Sequence, residues 1–178
     1  VVDSRQWEVT VFSVVLVLPL ASQEGVQIWT NEPDDSVFRS QDLLDSLAGK
    51  RCLIAEDNEL NAEIAAAFLE MAGIKSEKAS NGQEAVEIYK RRENGFFDII
   101  LMDIRMPEMD GYEACRQIRG AGRRDSLTIP IVAMTANAFS EDIELAGKSG
   151  MNAHLAKPVD AEQMISLLKE VLAGEKNG

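Results

Sequence analysis

From residue 50 onward, short apolar runs alternate with segments whose apolar residues recur at helical spacing. The run at 51–56 (RCLIAE) ends in an acid, and the segment after it places Ile64, Ala65, Phe68 and Leu69 on one helical face. The first pattern is typical of a buried strand and the second of an amphipathic helix. The same two patterns recur along the chain and predict strands at 51–56, 74–79, 97–102, 129–134 and 153–156, and helices at 59–71, 83–92, 112–119, 140–148 and 160–172.

Five strands that alternate with five helices indicate an α/β fold. Because the strand segments are continuously apolar, we expect helices on both faces of a parallel sheet. Crossovers between parallel strands are right-handed, which leaves the doubly wound order 2-1-3-4-5 as the leading topology for five strands. Ligands of such sheets bind beyond the carboxyl ends of the strands. The chemistry of the protein is therefore expected at those ends.

Residues 1–49 lack this regularity and are predicted to form a short N-terminal extension. The apolar run at 9–20 is shorter than the roughly 18 residues that a membrane-spanning helix needs. Asp3 and Glu8 flank Arg5 where a secretory signal carries basic residues, which weighs against export. The polar segment 21–49 is typical of a linker. The chain begins with Val1 rather than Met, so we expect it to be a fragment.

The composition narrows the classes of partner. Lys and Arg total 18 against 30 Asp and Glu, which gives a formal net charge of -12. That sign excludes generic binding to nucleic acid or to anionic membrane surfaces. Cys52 and Cys115 lie far apart in the sequence with no cluster of histidines around them. We therefore expect two reduced, buried thiols in a cytosolic protein.

Polar residues stand at the ends of four predicted strands. Glu56 and Asp57 come after the first strand, Asp103 after the third, Thr135 after the fourth and Lys157 after the fifth. The predicted fold brings all five to one rim, where three acids repel one another unless a cation is bound. Oxygen ligands without thiolates or clustered imidazoles favour a hard ion, so we expect Mg²⁺. The positive charge of the lysine and the hydroxyl donor of the threonine would suit a second, anionic ligand such as a phosphoryl group.

Four short motifs surround these strand ends. They are Ala55-Glu56-Asp57-Asn58, the run LMDIRMPEMDG at 101–111, Met134-Thr135-Ala136 and Ala156-Lys157-Pro158. Together they resemble the receiver domain of two-component response regulators, and the resemblance covers residues 50–172. It implies a flavodoxin-like fold that takes a phosphoryl group from phosphohistidine and switches conformation to transmit a signal.

The resemblance also implies a role for each site residue. Asp103 would be the nucleophile that becomes an aspartyl-phosphate. The ligands of Mg²⁺ would be Glu56, Asp57, Asp103 and the main-chain carbonyl of Arg105. Lys157 would pair with the phosphoryl oxygens, Thr135 would hydrogen-bond one of them, and the Lys157–Pro158 peptide bond would be cis. This assignment agrees with in-line transfer, in which a metal ion and a lysine neutralise the gathering charge.

One position departs from the commonest pattern of the family. Three residues before Lys157 the family most often has Tyr or Phe, whereas this chain has His154, its only histidine. Two interpretations stay open. The imidazole is either structural or a switch whose ring moves when Thr135 moves toward the phosphoryl group.

The N-terminal segment suggests a larger parent protein. Residues 4–20 resemble the last strand of a histidine-kinase ATP-binding domain, so we interpret the chain as part of a hybrid histidine kinase. The expected layout is a kinase-domain remnant at 1–20, a linker at 21–49, the receiver at 50–174 and a tail at 175–178. No kinase core is present in the chain, so the expected catalysis is limited to the receiver's own phosphorylation and dephosphorylation.

The same interpretation sets the expected partners and location. The partners are a histidine kinase or a histidine phosphotransfer domain, with no nucleic acid and no direct membrane contact, and dimerisation stays open. Only 173–178 follow the last predicted helix, so we expect no DNA-binding output domain. The domain is expected in the cytoplasm, including the case of a membrane-anchored parent.

Three alternative classes of protein share part of this pattern. A haloacid-dehalogenase-like phosphatase also uses an aspartyl-phosphate and Mg²⁺, but it needs a second Asp two residues after the nucleophile, where Arg105 stands. A flavodoxin needs a phosphate loop rich in Ser, Thr and Gly after the first strand, and Glu56 with Asp57 would repel a phosphate there. A stand-alone, single-domain response regulator stays open beside the hybrid kinase.

Overall fold

The computed structural model describes residues 2–5, 9–12, 47–136 and 140–174, and the chain divides into two units, Val1–Asp34 and Asp35–Gly178. In the first unit, β1 (Val2–Arg5) pairs antiparallel with β2 (Val9–Phe12). The sequence predicted a single strand-like remnant at 1–20, whereas the structure describes two short paired strands there; residues 1, 6–8 and 13–20 lie outside the described residues. The predicted linker is described only from residue 47, and the predicted tail at 175–178 is likewise outside the description.

The second unit is built on a five-stranded parallel sheet. Its strands are β3 (Arg51–Ala55), β4 (Lys75–Ala79), β5 (Ile99–Asp103), β6 (Ile131–Thr135) and β7 (Ala153–Ala156). Their spatial order is β4-β3-β5-β6-β7, with every pair parallel, which confirms the predicted order 2-1-3-4-5.

Within the described part of this unit, five helices connect and cover the strands of the sheet. They are α1 (Glu59–Met71), α2 (Gly82–Arg91), α3 (Gly111–Arg119), α4 (Ser140–Ser149) and α5 (Ala161–Gly174). Among the described residues, none of these helices combines the length and the apolar character that crossing a membrane requires.

Side chains of the central strands divide between two hydrophobic cores. Along β3, Leu53 and Ala55 pack in one core with residues of α2 and α3, whereas Cys52 and Ile54 pack in the other with residues of α1 and α5. This alternation covers both faces of the sheet, as the continuous apolar runs predicted. Both cysteines are free and buried, and burial raises the pKa of the Cys52 thiol to about 12. Thiols in this environment are inert.

Two strands begin two residues later and end one residue later than the sequence pattern predicted. β5 begins at Ile99 rather than at residue 97, and β6 begins at Ile131 rather than at residue 129. Before β6 stands Pro130, which has no N–H to donate to a strand ladder. As a consequence, Asp103 and Thr135 are the last residues of their strands and not the first residues after them.

Helix α3 begins very close to the end of β5. A Cβ added to Gly111 would lie 2.2 Å from the carbonyl oxygen of Asp103, and the Gly111 N–H donates to the Ile104 carbonyl at 2.9 Å. Only a residue without a side chain allows this approach. Gly111 therefore contributes to the placement of Asp103.

Gly111→Ala should lower the free energy of unfolding by about 1–3 kcal/mol, because the backbone of β5 or α3 must shift to admit a methyl group. The matched control is Gly147→Ala in α4, where an added Cβ meets no heavy atom within 4 Å. That change should raise the stability by up to about 1 kcal/mol, since Ala is the better helix former. Urea denaturation of both variants tests the prediction, and two changes of the same sign would contradict it.

Candidate functional site

Four adjacent strands bring polar residues to one edge of the sheet. Asp103 ends β5 and Thr135 ends β6, while Glu56 and Lys157 directly follow β3 and β7. The parallel register places Asp103 beside Met134 on the neighbouring strand. The residues expected at the carboxyl ends of the strands therefore lie at the same edge of the sheet.

Glu56, Asp57 and Asp103 form a compact acidic cluster. One carboxylate oxygen from each residue lies within 4.8 Å of the others. Glu56 and Asp103 are buried, with 4% and 5% of their surface exposed, whereas Asp57 is exposed. Three oxygen donors that open toward solvent on the Asp57 side suit a small, hard cation that keeps several waters. The residues therefore fit the expected Mg²⁺.

The Lys157 ammonium bridges the two buried acids. Its Nζ donates to Asp103 Oδ2 at 2.6 Å and lies 2.6 Å from Glu56 Oε2. Burial alone lowers the pKa of Lys157, but the hydrogen bonds to Asp103 and Glu56 outweigh it, so the pKa is raised and the side chain stays charged. The main-chain N–H of Lys157 donates to the Thr135 carbonyl at 2.8 Å, and the Lys157–Pro158 peptide bond is cis, as the family resemblance implied.

The carboxylate of Asp103 is held at both oxygens. Oδ2 contacts Lys157, and Oδ1 accepts a hydrogen bond from the Arg105 main-chain N–H at 3.2 Å. The pKa of Asp103 is raised because burial outweighs the stabilisation by Lys157, and the charge of Glu56 acts in the same direction as burial. The contacts of Asp103 with its protein neighbours therefore do not fully offset the cost of burying its negative charge. A cation bound to it would relieve this cost.

The second oxygen of Glu56 has a partner that the sequence reasoning missed. The Asn61 side-chain amide donates to Glu56 Oε1 at 3.0 Å. Asn61 lies in the first turn of α1, and its main-chain N–H donates to the side chain of Asn58, the N-cap of that helix, at 3.1 Å. The available signal was a polar residue in the first helical turn after a strand that ends in an acid, because that turn lies over the strand end.

Arg105 and His154 are the two predicted site residues with exposed side chains outside the acidic cluster. Arg105 is exposed and approaches Asp103 through its main-chain N–H, so its carbonyl as a metal ligand stays a prediction. His154 is exposed on β7, in register with Ala133, and it borders a cavity of about 130 Å³ on the side of α4. Its interpretation as a switch also stays a prediction.

The fold and the site together define the class of this protein. A doubly wound parallel sheet carries a buried aspartate, two further acids and a lysine at the carboxyl ends of its strands. The chain matches the family described as the response regulator receiver domain over residues 52–169. It therefore belongs to the response regulator receiver domain family, which confirms the resemblance seen in the sequence.

Individual relatives agree with this assignment. The peroxide stress-activated histidine kinase mak1 of Schizosaccharomyces pombe is 36% identical over 126 residues, which are 70% of this chain and 8% of that protein. The receiver domain of sensor histidine kinase PA1611 from Pseudomonas aeruginosa PAO1 was solved with a magnesium ion coordinated in its active site cleft. It has a TM-score of 0.64 and 36% identity to this chain, covering 71% of this chain and 99% of that one.

A third relative was solved with a partner. The co-crystal structure of the Saccharomyces cerevisiae histidine phosphotransfer signaling protein Ypd1 and the receiver domain of its downstream response regulator Ssk1 matches with a TM-score of 0.62 and 36% identity. The match covers 70% of this chain and 89% of that one. The chain thus spans nearly all of these solved domains, but only a small part of the kinase mak1.

Proposed function

We propose that this receiver domain accepts a phosphoryl group from phosphohistidine onto the carboxylate of Asp103. The proposal rests on the Lys157 ammonium, which lies 2.6 Å from Oδ2 of this buried aspartate at a strand end. In the proposed step, an Asp103 oxygen forms a bond to phosphorus while the phosphorus–nitrogen bond breaks. The electron pair of that bond leaves with the histidine nitrogen, which takes up a proton. Lys157 would stabilise the negative charge on the phosphoryl oxygens.

The other residues of the edge would position the group being transferred. Mg²⁺, held by Glu56, Asp57, Asp103 and the carbonyl of Arg105, would supply neutralisation of the phosphoryl charge. The hydroxyl of Thr135, at the end of the neighbouring strand, would donate to a phosphoryl oxygen. The phosphatase alternative finds no support, since the exposed Arg105 stands where that class needs its second acid.

Phosphorylation is proposed to change the face formed by α4, β7 and α5. If the Thr135 side chain turns toward the phosphoryl group, it leaves space on the side of β7, where His154 stands three residues before Lys157. His154 also borders a cavity of about 130 Å³ on the side of α4, which supports a movement of its ring on that face. His154 is accordingly proposed as the switch residue, whose exposed side chain changes position when Asp103 is phosphorylated.

The partner is proposed to be a histidine phosphotransfer domain or a histidine kinase. Leu60 and Ile64 of α1 are 68% and 39% exposed, and Ile64 lines the same cavity as Glu56 and Lys157. An apolar surface next to the acidic cluster would let a partner bury side chains while its phosphohistidine approaches Asp103. The complex of Ypd1 with Ssk1 supports a partner of this kind.

The parent protein is proposed to be a hybrid histidine kinase that carries this receiver in the cytoplasm. The layout predicted from the sequence is kept as part of the proposal: a kinase-domain remnant at 1–20, a linker at 21–49, the receiver at 50–174 and a tail at 175–178. The similarity to mak1 supports a kinase parent, and the two buried thiols are consistent with a reducing compartment.

The proposed function is tested by incubating the chain with Mg²⁺ and a small phosphodonor such as phosphoramidate. Intact-protein mass spectrometry should detect a single phosphoryl group, and peptide mapping should assign it to Asp103. Chelation of Mg²⁺ should prevent the modification. Modification at another residue, or none at any Mg²⁺ concentration, would overturn the proposal.

A further inference from the structure

The carboxylate of Glu56 is almost completely buried and depends on two neighbouring donors. Its side chain is 2% exposed; Oε2 lies 2.6 Å from the Lys157 ammonium, and Oε1 accepts from the Asn61 amide at 3.0 Å. An ionised carboxylate in such a position is stable only while its oxygens keep hydrogen-bond partners. The two partners are therefore decisive for where the Glu56 oxygens point.

The two donors of Glu56 have different roles in the proposed function. Lys157 also contacts Asp103, and it would contact the phosphoryl group once Asp103 is modified. Asn61 is not proposed to contact the phosphoryl group, and its main-chain N–H donates to the side chain of the N-cap residue Asn58, which fixes its backbone. Asn61 is therefore the donor that keeps its place when the lysine is drawn toward a new anion.

The surroundings of Glu56 would allow its carboxylate to turn away from the site. Glu56 borders a cavity of about 100 Å³ that is also lined by Asn61, Ile64 and Lys157. A side chain that loses one of its two donors beside such a space gains alternative orientations. The Asn61 amide counteracts this by holding Oε1 on one side, so that the carboxylate stays within the acidic cluster.

We propose that Asn61 is a positioning residue that sets the Mg²⁺ affinity of the site through its hydrogen bond to Glu56. This inference rests on the proposed function for the identity of the metal. It adds a residue whose side-chain amide donates to Glu56 and which is not itself among the proposed metal ligands. Partners of metal-binding carboxylates act in this way in other proteins, and their removal typically weakens metal affinity or activity by about 10–100-fold.

A purely structural role for Asn61 is less consistent with its position. The residue is exposed on α1, and asparagine is a poorer helix former than alanine. The helix therefore gains nothing from an asparagine here that alanine would not also provide. The contact that the side chain makes is directed at the acidic cluster.

The test compares Mg²⁺ binding by wild type, Asn61→Ala and Met71→Ala, measured by isothermal titration calorimetry. Met71 is the matched control because it lies at the other end of the same helix and is 57% exposed. Asn61→Ala should bind Mg²⁺ about tenfold more weakly than wild type, while Met71→Ala should bind it normally. Thermal unfolding followed by circular dichroism should show both variants folded.

A second readout separates positioning from a general disturbance of the site. The rate of labelling by phosphoramidate should fall in Asn61→Ala at low Mg²⁺ and return close to the wild-type rate when Mg²⁺ is saturating. Unchanged Mg²⁺ affinity, or a rate that stays low at saturating Mg²⁺, would overturn the role of Asn61. Failure of the wild type itself to be labelled would instead overturn the proposed function, and the calorimetric comparison would still decide the role of Asn61.

Discussion

Replacing Asp103 by asparagine should reduce phosphoryl labelling of the chain to background and leave the protein folded. The amide lacks the ionised oxygen that would form the bond to phosphorus. Glu56 provides the matched control, because it contacts the same lysine: Glu56→Gln should weaken Mg²⁺ binding yet keep the label on Asp103 at high Mg²⁺. Mass spectrometry after treatment with phosphoramidate measures both. Undiminished labelling of Asp103→Asn would show that Asp103 is not the acceptor.

The same substitution should raise the free energy of unfolding at neutral pH. The pKa of Asp103 is raised because burial outweighs its contact with Lys157. A carboxyl group with a raised folded-state pKa contributes stability that is complete below the unfolded pKa and is lost as pH rises through the folded pKa. The side-chain amide of Asp103→Asn does not ionise, so the variant does not lose stability in this way. The advantage of Asp103→Asn over wild type should therefore shrink as pH falls through the folded-state pKa of Asp103 and be lost below about 4, the unfolded value. An advantage that grows on acidification would contradict this account.

The order of strands and helices in the second unit could be predicted from the sequence, because the spacing of apolar residues reflects which positions are buried. β5 and β6 are buried at every position and are continuous apolar runs in the sequence. Once five strand segments alternate with helices, the handedness of the crossovers leaves few arrangements. The edge that carries Asp103 and Lys157 followed from that topology, since parallel strands end on the same side.

The contacts within the site could not be predicted in the same way. The Asn61–Glu56 hydrogen bond and the two contacts of Lys157 depend on side-chain rotamers and on how α1 lies over the end of β3. Sequence spacing constrains neither. The pairing of β1 with β2 was missed for a related reason: a four-residue strand is too short to display a period, and its stability comes from the partner strand.

Lys157→Ala should destabilise the metal-free protein by about 3–5 kcal/mol and remove most of its response to a phosphodonor. The side chains of Glu56 and Asp103 are 2% and 7% exposed, and the lysine that bridges them is itself only 17% exposed. Without the ammonium, two buried carboxylates face each other with no cation between them, and the loss of one partner from a buried ion pair is strongly destabilising. Urea unfolding in the presence of a chelator measures the effect.

Mg²⁺ and acid should each restore part of this stability without restoring function. All three acids of the cluster remain in Lys157→Ala, so metal binding is retained and supplies the missing positive charge, while lower pH protonates the same acids and removes their repulsion. Labelling should stay low in both cases, because the phosphoryl oxygens lack their ammonium partner. The matched control is Lys78→Ala, which removes an ammonium from an exposed pair with Glu63 and should change stability by no more than about 1 kcal/mol. If the two lysine variants unfold alike and are labelled alike, Lys157 neither compensates the buried acids nor serves the phosphoryl group.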